Sequence, residues 1–300
     1  MPDAPRDQKE WPLESCVEQL ESTGLYRVLR KLPAVQPRPR RPASGERVVA
    51  IVDTETTGLD HSQDEVIEFA GIAFTYSTDG VLSDAIASFS QLREPSVPLS
   101  PDTVRITGIN QSMLKGKSID KEALNAFVEG ADLIVAHNAG FDRPFCEQLS
   151  DAFKHKPWAC SATEIDWAGL GFDGAKLTYL VAHSGWFYEA HRALDDCNAL
   201  AKVLATPISQ GAIQTPFQQL LNSARETKTR LSFPAPYPLR TALRKRGFRW
   251  KASDQLQPGY WFADLSEREV KPTLDWLTNK LELRRAAIAL DRITAHERYR

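Results

Sequence analysis

The chain has 300 residues and a mass of 33.6 kDa, more than one hydrophobic core usually fills, so a medium domain with a smaller companion or long extensions is expected. Its 42% hydrophobic and 25% charged content describes a globular chain, and its apolar runs fall far short of the ~20 residues that span a bilayer, so no membrane association is expected. The net charge of −2 hides an asymmetry: residues 47–206 carry 12 Lys/Arg against 23 Asp/Glu, whereas residues 222–300 carry 17 against 9.

An acidic unit joined to a basic one suggests metal-binding or catalytic carboxylates in the first and an anionic partner for the second. Residues 1–10 are polar, with no apolar run before a small-residue site, so no secretory signal is expected. Cys16, Cys146, Cys160 and Cys197 lie far apart without CxxC spacing, which suits a reducing cytoplasm and not a disulfide scaffold.

Residues 11–32 place Leu13, Val17, Leu20, Leu25, Val28 and Leu32 at roughly helical spacing and predict one helix, with Gly24 as its weak point. Pro33, Pro37, Pro39 and Pro42, interleaved with Arg38, Arg40 and Arg41, then predict an extended, basic, solvated tether. The β-branched run 47–53 reads as a buried strand; 66–76 and 85–92 read as two more, parted by the turn Thr78-Asp79-Gly80. Ser100 and Pro101 cap and open a short helix through Arg105. Residues 120–129 predict a helix stopped by Gly130, and 132–136 a buried strand. Further helices are expected over 141–153, 175–184 and 192–205, with a short strand over 158–161. Three early strands able to pair as a meander, followed by alternating helices and strands, predict an α/β fold with a mixed sheet covered by helices.

Pro207 and Pro216 flank a predicted loop, and 217–228 resume helical spacing. From 233 a small α+β unit follows: a basic helix over 239–246 closed by Gly247, strands over 248–250 and 259–262, a helix over 267–279 and a final segment without a clear pattern. Within it, Arg244-Lys-Arg246-Gly-Phe-Arg-Trp250 interleaves cations with aromatics, the combination that grips phosphates and stacks bases. The expected division is a mixture, with the aromatics mostly in a small core and some cations on nucleic acid.

Three clusters carry the chemistry. In Asp53-Thr-Glu55-Thr-Thr-Gly58-Leu59, residues i and i+2 of a strand face the same way, so Asp53 and Glu55 present paired carboxylates. Two such anions repel unless a hard cation neutralises them, and carboxylate oxygens suit Mg²⁺ and Mn²⁺. Gly58 is read as the residue that permits a tight turn. In His137-Asn138-Ala-Gly140-Phe-Asp142, Asp142 falls in the first turn of a helix, which also suits a plain helix-start acid; His137 and Asn138 read as hydrogen-bonding strand-end residues. In His191-Arg-Ala-Leu-Asp195-Asp196, five helical steps would not align His191 with Asp196. The pair can work together with His191 on the loop and Asp196 in the opening turns of the helix. Imidazole is the side chain suited to taking a proton from water near neutral pH.

Asp-x-Glu, then HNxxFD, then HxxxxD, in that order over about residues 47–206, resembles the DEDDh family of 3′–5′ exonucleases, the group that includes the epsilon proofreading subunit of bacterial DNA polymerase III. The run DTETTGL and the later Thr107-Gly-Ile109 add to the resemblance. It implies a ribonuclease H-like fold and two divalent ions, Mg²⁺ or Mn²⁺, held by Asp53, Glu55, Asp142 and Asp196, with His191 as general base. It also implies that Thr56, through its backbone, and Leu59, by wedging, meet the 3′-terminal nucleotide; Asp195 has no counterpart and reads as surface. The expected architecture is an N-terminal helix and Pro/Arg-rich linker (1–46), an exonuclease domain (47–206), a connecting loop and helix (207–232) and a small basic C-terminal domain (233–300). The expected partner is a nucleic-acid 3′ end, read as single-stranded DNA. RNA trimming stays open, because nothing reports tolerance of a 2′-hydroxyl. A nucleic-acid-binding or polymerase-tethering module with a vestigial site is disfavoured, since all five catalytic positions are filled. No clamp-binding pentapeptide of the Gln-Leu-x-Leu-Phe kind supports polymerase association.

Overall fold

The computed structural model describes residues 12–207, 214–253 and 258–300. The β-branched run predicted at 47–53 forms strand β1 (Arg47–Thr56), which pairs antiparallel with β2 (Val66–Tyr76), itself antiparallel to β3 (Leu82–Leu92). On the other side of β1, β4 (Leu133–Ala136) and then β5 (Trp158–Cys160) run parallel to it, giving the order β3-β2-β1-β4-β5. This is the mixed sheet expected of a ribonuclease H-like fold. Because β1, β4 and β5 are parallel, their C-terminal ends share one edge of the sheet.

Alternation along β1 sorts the core into two layers. Val49 and Ile51 face helix α5 (Ala193–Ala205), through Cys197, Leu200 and Leu204, with α4 (Leu177–His183) and α6 (Pro216–Arg225) beside it. Ala50 and Val52 face α2 (Lys121–Glu129) and α3 (Ala139–Leu149), through Leu124, Val128 and Phe145. Helices thus cover both faces. Among the described residues, no helix is long and apolar enough to cross a membrane.

The N-terminal helix is shorter than its spacing predicts. It spans Leu13–Ser22 (α1), and Gly24 turns the chain at φ 69. Leu25 and Tyr26 are then exposed, while Arg30–Lys31 pair in parallel with Trp186–Phe187. The Pro/Arg-rich stretch forms no helix or strand, as predicted, and most of its residues are exposed, but it is docked on the central domain and is no free tether. Asn198 Nδ2 donates to the Pro33 carbonyl, and Leu32 is buried in the core. Arg40 binds Glu46, Asp84 and the Thr75 hydroxyl. Proline removes ladder donors but leaves carbonyls and side chains free to dock.

The helix expected over 217–228 ends at Arg225, and an unforeseen strand, β6 (Lys228–Phe233), follows. It belongs to the C-terminal unit, whose sheet therefore begins before residue 233. With β7 (Arg249–Lys251), β8 (Tyr260–Leu265) and β9 (Ala289–Ile293), it forms an antiparallel sheet ordered β9-β6-β8-β7. Leu231, Phe233, Trp261 and Ala263 bury one face against Leu243, Phe248 and Leu277, the last from helix α7 (Glu267–Asn279). Trp250, by contrast, is 47% exposed. The loop expected between Pro207 and Pro216 lies largely outside the described residues, as do residues 1–11.

The final segment, without pattern in the sequence, returns to the central domain. Trp158 N–H donates to Ala295 O at 2.8 Å, and the buried Arg143 guanidinium donates to the carbonyls of His296 and Arg298. Arg298 is itself buried. It binds the Glu164 carboxylate at 2.6 Å and the carbonyls of Ser223 and Glu226, leaving its Nε without a partner. The last seven residues act as a strap across both units.

Candidate active site

Asp53 and Glu55 sit at the end of β1 on the face that looks toward α5, and Asp196 comes from the opening turn of α5. One carboxylate oxygen from each of the three lies within 4.8 Å of the others. Asp142 is not part of this trio. It rises from α3, on the opposite side of β1, where it is buried and accepts a hydrogen bond from Thr54 Oγ1 at 2.8 Å. Asp195, one residue from Asp196, is exposed.

The structure places His191 on the loop, just before α5 begins, with its side chain exposed. Its backbone is left-handed (φ 71), and its N–H donates to Asp196 Oδ2 at 2.8 Å. A non-glycine residue in that region carries strain of about 1 kcal/mol or more, which the hydrogen bond helps offset. His137 is structural. Its ring nitrogens meet Ser161 Oγ at 2.9 Å and Ala175 O at 2.6 Å.

The turn after Glu55 is held from outside. Thr103, in the short helix Pro101–Thr107 capped by Ser100, donates through Oγ1 to Thr57 O. Gly58 is needed for a close approach and not for an unusual φ: a Cβ there would lie 2.5 Å from the Asp64 carboxylate oxygens. Thr56 is buried, its hydroxyl donating to Gly58 O, whereas Leu59 is 86% exposed at the rim.

The carboxyls hold one another's charge in check. Burial, then the neighbouring Asp142, Asp196 and Glu55, raises the Asp53 carboxyl well above its usual range. Burial and Asp196 push Glu55 up to about 8, and burial pushes Asp142 to about 7 against the opposing Thr54 hydrogen bonds. Asp196 is raised by burial, opposed by donors from Tyr188 and His191. An all-oxygen donor set that cannot comfortably ionise unaided fits a hard divalent cation.

Glu55 supplies a pH test of that fit. Unfolded, its carboxyl titrates near 4.3, and folded without metal it titrates near 8, so the folded state binds the extra proton between those values. That contribution to stability is present at the acid end and lost as pH rises through about 8. In EDTA, the melting temperature of Glu55→Gln relative to the unsubstituted protein should therefore climb between pH 5 and 8. Saturating Mn²⁺ should reverse the order, because the intact site binds the ion more tightly. A difference that stays flat with pH would reject the repelling cluster.

Four contributors escaped the sequence reading. Thr54 positions Asp142, and the Tyr188 hydroxyl donates to Asp196 Oδ1 at 2.7 Å. Glu68, buried in β2, accepts both Nε and Nη2 of Arg192 and the N–H of Ala193, pinning the start of α5. An acid inside the all-buried run Val66–Tyr76 was the available signal for that pair, since a buried charge demands a partner. Tyr188 carried none.

A family model described as Exonuclease (RNase T) matches residues 50–204. The chain is 31% identical over 172 residues to a DNA polymerase III subunit epsilon of Treponema pallidum, covering 54% of this chain and 77% of that one. It is 32% identical over 160 residues to a PolC-type DNA polymerase III of Clostridium perfringens, covering 51% of this chain and 11% of that one. The chain thus spans about a tenth of the latter's length. A solved structure of Exonuclease X in complex with 5′ overhanging duplex DNA aligns with a TM-score of 0.43 at 26% identity, over 58% of this chain and 99% of that one.

Proposed function

Because the chain belongs to the exonuclease family that residues 50–204 match, we propose that it removes nucleotides stepwise from the 3′ ends of single-stranded DNA. Asp53, Glu55, Asp142 and Asp196 would hold two divalent ions, Mg²⁺ or Mn²⁺. The observation that carries this reading is the convergence of Asp53, Glu55 and Asp196 within 4.8 Å, beside a histidine held just outside the helix that supplies Asp196. The chemistry such ions supply is Lewis acidity toward water and toward the charge that develops on phosphate and the departing 3′ oxygen.

The chain's own residues do the rest. His191, on its exposed loop, takes the proton from the attacking water as oxygen bonds to phosphorus. The P–O3′ bond then breaks, and the departing oxygen gains a proton from solvent, leaving a nucleoside 5′-monophosphate. Leu59 is a large apolar side chain with 86% of its surface open, which suits a wedge against the terminal base, and Thr56, three residues before it, would meet the same nucleotide through its backbone.

Labelled single- and double-stranded DNA and RNA, incubated with Mg²⁺, Mn²⁺ or EDTA, test the proposal. Stepwise 3′ shortening of single-stranded DNA, with monophosphate products and no reaction in EDTA, is the expected result; preference for RNA would reassign the substrate. His191→Ala should lower turnover by about 10²–10⁴-fold and change the shape of the pH–rate profile. An unchanged rate would mean that another group takes the proton.

A further inference from the structure

We propose that the open face of the C-terminal sheet is a stacking platform for single-stranded nucleic acid. Strand alternation sends Leu231, Phe233, Trp261 and Ala263 into the small core, so their neighbours face the other way. The register Tyr260↔Lys251, Phe262↔Arg249 and Asp264↔Arg230 places all six of those residues on that second face. Arg249 and Lys251 are exposed, Tyr260 and Phe262 are half-buried, and Ala289 and Asp291 of β9 lie open beside them.

The chemistry is that of base and phosphate recognition. The guanidinium carbons of Arg230 and Arg249 lie 4.9 and 4.8 Å from the centroid of Phe262, and the Tyr260 ring is 6.1 Å away. Asp264 holds Arg230 through both oxygens, at 2.7 and 2.9 Å, and draws in Arg249 at 3.3 Å. The guanidinium planes and aromatic rings are thereby fixed before any ligand arrives. Unstacked bases lie on both kinds of plane, and a sheet that presents aromatics on its open face is a suitable surface for them.

Charge and attachment point to the same ligand. The catalytic unit is acidic, with 12 Lys/Arg against 23 Asp/Glu over residues 47–206, and repels a polyanion; residues 222–300 carry 17 against 9 and attract one. The platform is also fixed to the catalytic edge of the central sheet. Lys228, at the start of β6, lies 3.8 Å from Glu164, which follows β5 and also binds Arg298 and the Tyr299 hydroxyl. The contact ties the start of β6 to the residues that follow β5, an outer strand of the central sheet. The proposal rests on the exonuclease reading for the identity of the ligand alone.

The test is fluorescence anisotropy of a labelled single-stranded 15-mer, as DNA and as RNA, with full-length Asp53→Asn protein in EDTA. Tyr260→Ala in that background should weaken binding by roughly five- to 150-fold, the range for losing one stacked base. Arg249→Gln with Lys251→Gln should reduce the slope of log affinity against log salt by about 1.4, at roughly 0.7 per lost phosphate contact. If one variant melts below its parent, the other decides. Unchanged affinity and slope in a variant that melts like its parent overturns the platform. The unsubstituted protein is assayed separately on a chromogenic thymidine 5′-phosphodiester. Failure there would sink the exonuclease reading and leave the binding comparison standing.

Discussion

Asp53→Asn should all but abolish hydrolysis, by more than about 10³-fold, while the protein stays folded. Asp53 is the carboxylate most crowded by others, with Asp142, Asp196 and Glu55 all raising its proton affinity. Among the described residues its carboxylate accepts no hydrogen bond, so an amide of the same shape breaks no framework contact. Removing one of four mutually repelling acids should also raise metal-free stability at neutral pH by an amount on the order of 1 kcal/mol, and the melting temperature with it. Asp195→Asn is the matched control. That side chain is exposed and outside the trio, and its loss should leave turnover near that of the unsubstituted protein. Turnover measured with Mn²⁺, beside melting in EDTA, separates the two effects. Residual activity above a few per cent of the unsubstituted protein in Asp53→Asn would remove that residue from the metal site.

Arg298→Met should cost about 3–5 kcal/mol of stability, a large fraction of what a domain this size possesses. Arg298 and Glu164 have side chains 1% and 2% exposed, and their 2.6 Å pair is surrounded by the Ser223 and Glu226 carbonyls and the Tyr299 hydroxyl. Without the guanidinium, Glu164 is left buried with only Lys228, at 3.8 Å, to neutralise it. Adding Glu164→Gln should recover part of the loss, because the stranded charge is then gone. Deleting residues 294–300 should cost more still, since Arg143, fully buried, would lose both carbonyls it binds. Urea unfolding measures all three. A midpoint for Arg298→Met indistinguishable from that of the unsubstituted protein would show that the strap merely lies on the surface. The strap meets the helix that carries Asp142 through Arg143, so truncation that removes residues 294–300 is expected to disturb that helix.

Much of the central domain was legible because its signals are local. The strand Val66–Tyr76 coincides with its predicted bounds, and so, in the C-terminal unit, does the helix Glu267–Asn279, since β-branched runs and capped periodic helices announce themselves within a few residues. The carboxylate pair was legible for the same reason: two residues of a strand must share a face. Where the reading failed, distance along the chain was the cause. Residues 217–228 hold a helical spacing to their end, and only pairing with β8 and β9, some thirty and sixty residues on, draws Lys228–Phe233 out as a strand. The Pro/Arg-rich stretch has no local partner, yet Thr75 and Asp84 supply them for Arg40.

The site shows the same division. The acids and the histidine proposed to carry the chemistry fall in short motifs, because each motif is one strand end or one helix start. How they meet is not written there. Thr54 reaches Asp142 across 88 positions, and Arg192 reaches Glu68 across 124. Tyr188 meets Asp196 on a helix whose start Glu68, more than a hundred residues earlier, pins. The pattern of residue types thus named the fold and brought out the acidic cluster, while the register of the sheet and contacts far apart in sequence decided what holds those acids in place. Local sequence encodes propensity and facing; long-range contacts form only when the whole chain closes on itself.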